Sequence, residues 1–295
     1  MNAFDRLRRD DGPLAIICGG GNFPRVVADA VSRRGRPIVL FGLKGWADPE
    51  GVARYRHYWA RLGQFGRFRR LARAEGCYDV VFIGSLLRPS LGQLRPDLTT
   101  LRLLPRIIPL LRGGDDHLLT GVARIFEEHG FRLLGAHEVA PEILVPEGTL
   151  GRHQPCARDL ADIARGLSLI TATGPFDIGQ AVVVADNRVI AVEAAEGTDS
   201  MLARVGAMRR AGRISLPDHV GVLVKATKPA QDRRLDLPSV GAGSVEAAAA
   251  AGLAGIAVEA AGAITDDLQK LVRAADAAGL FVVGVPAGSS RRASS

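Results

Sequence analysis

The chain has 295 residues, 47% hydrophobic and 5% aromatic, with 38 basic against 31 acidic residues and a formal net charge of +7. That length suits two domains; three scattered cysteines (Cys18, Cys77, Cys156) without C-x-x-C spacing exclude a disulfide framework or zinc site, and no stretch approaches the roughly 20 apolar residues of a spanning helix. The positive balance favours an anionic partner (nucleotide, nucleic acid or membrane surface) without choosing among them, and the cysteine usage fits a reducing cytosol.

The charged start "MNAFDRLRRDDGP" leads into only about five consecutive apolar residues, too few for a signal-peptide core, so none is expected. "LAIIC" (14–18) reads as a first strand, followed by glycines and the helical pattern "FPRVVADAVSRRG". "PIVLFG" (37–42) and "DVVFIGS" (79–85) are the next strands, with "GRFRRLARAEG" helical between them. A helix is expected over 98–111 and another over 115–130, before a fourth strand, "FRLLGA". Short apolar strands alternating with helices signal βαβ units and a parallel sheet.

The rhythm stops at "APEILVPEGTLGRHQP" (140–155), the best linker candidate. Beyond it, "CARDLADIARGLSLI" is helical, and "QAVVVADNRVIAVE" is a hairpin around Asp186-Asn187. "GTDSMLARVGAMRRAG" is a helix with Thr198 as its N-cap, and "GVLVKA" is a strand. A helix starting at Ser244, "GIAVEA", "TDDLQKLVRAADAAG" and "LFVVGV" complete a strand–helix–strand run. The tail "GSSRRASS" is expected to be disordered. The expected fold class is α/β, with two α/β domains at about 1–145 and 155–290.

Four stretches could carry chemistry. In "IICGGGNFP", Gly19, Gly20, Gly21 and Asn22 lie between strand and helix, where backbone N–H groups can meet a phosphate; a plain tight turn is the alternative. The loop is neither G-x-G-x-x-G nor a Walker loop. In 54–73, seven arginines interleave with Tyr55, Tyr58, Trp59, Phe65 and Phe68, read either as an anionic-polymer surface or as a solvated helix face with aromatics packed inside. "VIAVEAAEGTDSML" gathers Glu193, Glu196 and Asp199 at a strand end, where α/β proteins bind ligands and carboxylates can hold Mg2+. "KATKPAQDRRLDLPSVG" follows an apolar strand. There Lys225, Lys228, Arg233 and Arg234 can neutralise phosphates, while Asp232 and Asp236 can hold a divalent cation or serve as general base. Both signs together suit hydrolysis of a phosphate anhydride. Asp115 and Asp116 open a helix, one as a cap and one as a candidate nucleotide contact. His117, His137, His153 and His219 show no ligand spacing and are expected to be structural.

The glycine loop, "GDDHLLTGVARIFEEHGFRLLGAHEVAPEIL", "DIGQAVVVADNRVIAVEAAEGTDSML" and "VKATKPAQDRRLDLPSVG", in that order, resemble the UDP-2,3-diacylglucosamine pyrophosphatases of the LpxI type, from lipid A assembly in Gram-negative bacteria. The resemblance spans about 14–285 and rests most on the last two stretches. It implies a Rossmann-like N-terminal domain that helps hold the UDP-linked acylated glucosamine, a C-terminal hydrolase domain and a ligand cleft between them. It also implies Mg2+-dependent hydrolysis to UMP and 2,3-diacylglucosamine 1-phosphate, a homodimer, and a peripheral place on the cytoplasmic face of the inner membrane. Asp232 carries over as the most critical position. Glu193, Lys225, Lys228, Arg233, Arg234 and Glu196 are expected to support it, with Asp232, Asp236 and Glu193 as candidate metal ligands. Gly19, Gly20, Gly21, Asn22, Asp116, Thr198 and Asp199 are candidate substrate contacts. No nucleic-acid partner is expected, since no RNA-binding signature appears. Two rivals remain: an NAD(P)-dependent oxidoreductase, disfavoured because "PIVLFGLKG" ends without an acidic residue, and a non-catalytic nucleotide- or anion-binding module.

Overall fold

Five strands of the first half pair into one all-parallel sheet. The computed structural model describes residues 12–86, 94–110, 114–229 and 231–287; the charged leader and the "GSSRRASS" tail lie outside the described residues. The chain divides into two units, Met1–Glu142 and Ile143–Ser295.

In the first unit, β1 (Leu14–Cys18), β2 (Ile38–Leu43), β3 (His57–Ala60), β4 (Asp79–Ile83) and β5 (Arg132–Leu133) stand in the order β3-β2-β1-β4-β5. All pairings are parallel, with Leu14 opposite both Ile38 and Asp79. The strand order reverses between β1 and β4, which opens a crevice at the carboxyl ends of the strands. β1 is buried along its whole length, as a strand covered on both faces must be. Helix α1 (Phe23–Arg33) has Pro24 in its first turn and buries Val27, Ala28, Ala30 and Val31. Short α2 (Pro49–Ala53) is capped by the Asp48 carboxylate, which accepts from Gly51 N at 3.0 Å.

The basic stretch 54–73 resolves into β3 and α3 (Phe65–Ala74). Its aromatics face inward. Phe68 packs on Phe41, Phe126 and Phe131. Arg56 clasps Glu75 through two bonds of 2.6 Å, and Tyr58 donates to the same carboxylate. Helices α4 (Leu98–Leu110), α5 (Asp115–Glu128) and α6 (Ala136–Val139) complete the unit. The fourth strand is shorter than expected, because α6 takes over directly after Gly135. Buried Asp79 joins Arg36 and Arg132, the latter at 2.7 Å.

In the second unit, β6 (Gly148–Leu150), β7 (Ala181–Ala185), β8 (Arg188–Val192), β9 (Val222–Lys225), β10 (Gly255–Glu259) and β11 (Phe281–Val285) form a mixed sheet ordered β6-β11-β10-β9-β7-β8. β9, β10 and β11 are parallel; β6 and the β7–β8 hairpin are antiparallel additions at either side. Alternation along the strands separates two cores. Val183, Leu223, Ile256 and Val282 pack under α8 (Thr198–Arg210), α9 (Ala242–Ala250) and α10 (Leu268–Ala278). Val182, Val184, Val224 and Val283 pack under α7 (Ala157–Thr173). The hairpin turn Asp186-Asn187 adopts φ of 49° and 60°, and buried Asp162 accepts from both of its N–H groups.

The stretch 140–155, expected as a linker, is largely structured. Val145 N donates to Ala263 O, Thr265 N donates to Ile143 O, and β6 pairs with β11. Prolines and glycines there serve an edge strand and its turns rather than a tether. Helix α9 begins at Ala242, two residues before the expected Ser244, with Gly241 as its N-cap.

Candidate active site

Because β7 runs against β9 and β8 against β7, the start of β7 and the ends of β8, β9 and β10 share one edge of the second sheet. At that edge the apolar strands end in charged groups. Glu193 directly follows β8 and is 8% exposed. It accepts from Gln180 N at 2.9 Å and from Thr198 Oγ1 at 2.7 Å. Gly179 crosses this carboxylate so closely that an added Cβ would sit 2.5 Å from Glu193 Cγ. Thr198 is thus the first helical residue and a partner of Glu193; the N-cap of α8 is Gly197.

Lys225, the last residue of β9, is 6% exposed and donates to Ser239 O at 2.8 Å. Burial pushes its ammonium below the usual lysine range, against the opposing pull of Glu193, Asp199 and Asp236. Three of the expected site residues therefore bear electrostatically on a fourth. Asp236 accepts from Gln231 Nε2 at 2.6 Å, and Gln231 also reaches Gln180 Oε1 at 3.3 Å.

The loop after β9 holds the remaining candidates. Lys228 pairs with Asp177 at 2.5 Å, and Arg233 donates to Ala261 O. Asp232 is half-buried and receives the Arg234 guanidinium at 2.7 Å and the Arg234 backbone N–H at 3.0 Å. The Arg234 hydrogen bonds hold its carboxyl below the usual carboxylate range. Glu196 stands apart in role: it is exposed, paired with Arg204 at 2.7 Å and bonded to Ala194 N. Asp199 lies in the first turn of α8, where a carboxylate complements the helix dipole.

In the first unit, the glycine loop borders a cavity of about 270 Å3 that includes Gly19, Gly21, Asn22, Arg25, Trp46 and Asp48 among its lining. Gly19 and Gly20 already spend their N–H groups on Ile83 O and Ser85 O. A Cβ on Gly19 would meet Ser85 O at 2.7 Å, and one on Gly84 would meet Gly20 O at 2.7 Å. Two backbones touching across the β1–β4 reversal therefore account for Gly19 and Gly84. Gly21, with φ of 83° and open space around its Cβ position, and Asn22 are left facing the cavity. Arg25 donates to Asn22 Oδ1 at 3.0 Å and to Asp29 at 3.2 Å, giving the cavity a polar wall. Asp116 lies in the first turn of α5, whose N-cap is Gly114.

Among the described residues, no three His, Cys, Asp or Glu side chains gather as a metal site.

A family model of the LpxI N-terminal domain matches residues 13–143, and one of the LpxI C-terminal domain matches residues 146–283. The chain belongs to the LpxI family. It is 43% identical, over 92% of its own length and 97% of the relative's, to a Caulobacter vibrioides protein named UDP-2,3-diacylglucosamine pyrophosphatase LpxI. In this LpxI chain the two family models meet within a few residues of the boundary between units.

Several residues at these candidate sites escape sequence reasoning. Glu259 ends β10 as Glu193 follows β8, and it accepts from Thr227 N at 3.0 Å and from Thr227 Oγ1. The same signal, a carboxylate closing an apolar strand, would have found it. Gln180 and Gln231 are neutral and carry no such signal. Trp46 sits in "GLKGWADPEG", where an aromatic between glycines marks a turn facing a cavity.

Proposed function

We propose that this chain hydrolyses the diphosphate of UDP-2,3-diacylglucosamine, releasing UMP and 2,3-diacylglucosamine 1-phosphate in lipid A synthesis. The observation that carries the reading is the meeting of LpxI kinship over nearly the whole chain with a sheet edge where buried Lys225 and Glu193 lie near half-buried Asp236, whose N–H donates to Asp232 O in the loop that holds the Asp232–Arg234 pair. The finer assignments belong to the same proposal. The first unit acts as a Rossmann-like nucleotide holder, supported by its strand order and by a loop-lined cavity at the reversal. The second acts as the hydrolase unit.

In this reading Lys228, Arg233 and Arg234 exchange their present partners for phosphate oxygens, and Lys225 fixes the field around Glu193 and Asp236. Before that exchange Arg234 holds the Asp232 carboxyl below the usual carboxylate range, so Asp232 meets the substrate ionised, a weak base at neutral pH but a good anionic ligand. Asp232, with Asp236 or Glu193, would hold Mg2+, which when bound supplies charge neutralisation and an acidified water. The homodimer and the peripheral membrane location are parts of the proposal; no described helix is long and apolar enough to cross a membrane.

The test is release of UMP from UDP-2,3-diacylglucosamine with Mg2+ or with EDTA, for wild type and Asp232→Ala. EDTA and the substitution should each lower kcat by about 10²-fold or more. An Asp232→Ala protein with near-wild-type turnover sinks the assignment of Asp232, and absent UMP release by the wild type sinks the function.

A further inference from the structure

Helix α4 is fixed to its unit by one side only. Asp97 caps its first turn, accepting from Thr100 N at 2.9 Å, and Phe65 N donates to Thr100 Oγ1 at 3.1 Å. Thr100 and Leu103 are the buried positions on that side. Helical spacing puts Leu98, Leu101, Pro105, Ile108 and Pro109 on the opposite side. Leu98 is 67% exposed, Leu101 46% and Ile108 42%. Only six large hydrophobic side chains are exposed among the described residues, and three of them share this face. Arg102 and Arg106 run exposed along one margin, Arg106 in a pair with Glu128 at 2.7 Å.

Charge is divided as unevenly as exposed apolar surface. Residues 1–142 hold 22 basic and 15 acidic side chains, whereas residues 143–295 hold 16 of each. The whole excess of positive charge therefore lies in the unit that carries this helix. The prolines set a depth. Pro105 and Pro109 have no N–H for the carbonyls of Leu101 and Pro105, and on the exposed side those carbonyls need water or lipid headgroups. That suits a helix lying at the headgroup–acyl boundary, not one sunk in hydrocarbon.

We infer that the exposed face of α4 docks this chain onto an anionic lipid bilayer, with Leu98, Leu101 and Ile108 entering the interface and Arg102 and Arg106 meeting the lipid phosphates. A second copy of the chain is the weaker match, because a twofold contact would set the same arginine margin against itself. The inference rests on the proposed lipid substrate for its purpose, while its geometry stands independently.

The experiment is co-sedimentation of the full chain with vesicles of phosphatidylethanolamine and phosphatidylglycerol, against vesicles of phosphatidylcholine, at low and high salt. The wild type should bind the anionic vesicles, and salt should weaken that binding. The triple change Leu98→Glu, Leu101→Glu, Ile108→Glu should weaken it by more than about tenfold, and Arg102→Glu alone by roughly fivefold. Thermal melts establish that each variant is folded; should the triple variant not fold, Arg102→Glu decides. UMP release from detergent-dispersed substrate should be unchanged in the variants. Equal vesicle binding by wild type and variants overturns the inference. So does loss of a dimer in sedimentation velocity without loss of vesicle binding, which would make the face a subunit contact. Failure of UMP release by wild type with vesicle binding intact would sink the function and spare the docking surface.

Discussion

Lys225 is a cation standing where the alternation of β9 calls for an apolar side chain, under α8 and α9 with Leu223. Burial lowers its proton affinity, and Glu193, Asp199 and Asp236 restore part of it. The folded chain therefore holds fewer protons than the unfolded one between the lowered value and the ordinary lysine value near about 10.4. Stability then rises with pH across that window, by at most about 1.4 kcal/mol per pH unit. Lys225→Met removes this contribution, so the gap in melting temperature should shift in favour of the wild type as pH is raised from neutral. A gap that stays flat or moves the other way refutes the buried cation. Glu193 and Lys225 were legible because each closes an apolar strand with a charge. Glu196 reads the same way in a string of letters, yet it turns outward to Arg204, and only the chain's path after Gly197 decides that. The glycine triplet was read for its freedom near a ligand. One of the three, Gly19, is explained instead by backbone passing backbone, which leaves no trace in the sequence around it.

At the scale of elements, the loop after β9 is held by a neighbouring strand. Glu259 at the end of β10 accepts from Thr227 twice, so β10 positions the segment that carries Lys228 and Asp232. Glu259→Ala should loosen that segment without touching the substrate. The expected signature is faster amide exchange at Thr227 and a fall in kcat of about tenfold with KM little changed, since hydrogen bonds to charged groups contribute about 1.5–3 kcal/mol. Unchanged exchange at Thr227 would rule out this anchoring. The long apolar strands were legible, and so was the Asp186-Asn187 hairpin, because burial on both faces and a turn with positive φ each leave strong local patterns. β3, α2 and β6 were not. β3 is half-buried and rich in His, Tyr and Trp, α2 spans five residues, and β6 owes its three paired residues to β11, 132 or more positions along the chain. Short edge elements are specified by their partners more than by themselves.

For the whole molecule, the two sheets share no strand, and each unit has its own core. The first residues of the second unit are tied to it by Thr265 N on Ile143 O and Val145 N on Ala263 O. Separated between Glu142 and Ile143, both halves should give cooperative thermal melts followed by circular dichroism; a half that melts without a transition would show that its core is incomplete. The rhythm of apolar strands and helices breaks near 140–155, just after the unit boundary at Glu142, yet that stretch is itself structured and pairs with β11. What composition concealed was the location of the charge, since a net +7 does not say that residues 143–295 balance to zero. A chain with its whole excess in one of two units carries a permanent electric moment in any arrangement of the two. Within a Debye length of an anionic bilayer, about 8 Å at physiological ionic strength, such a molecule feels a torque as well as an attraction. On the proposed docking it would reach the surface already turned, with the first unit leading, and its search for a lipid-linked substrate would begin in two dimensions.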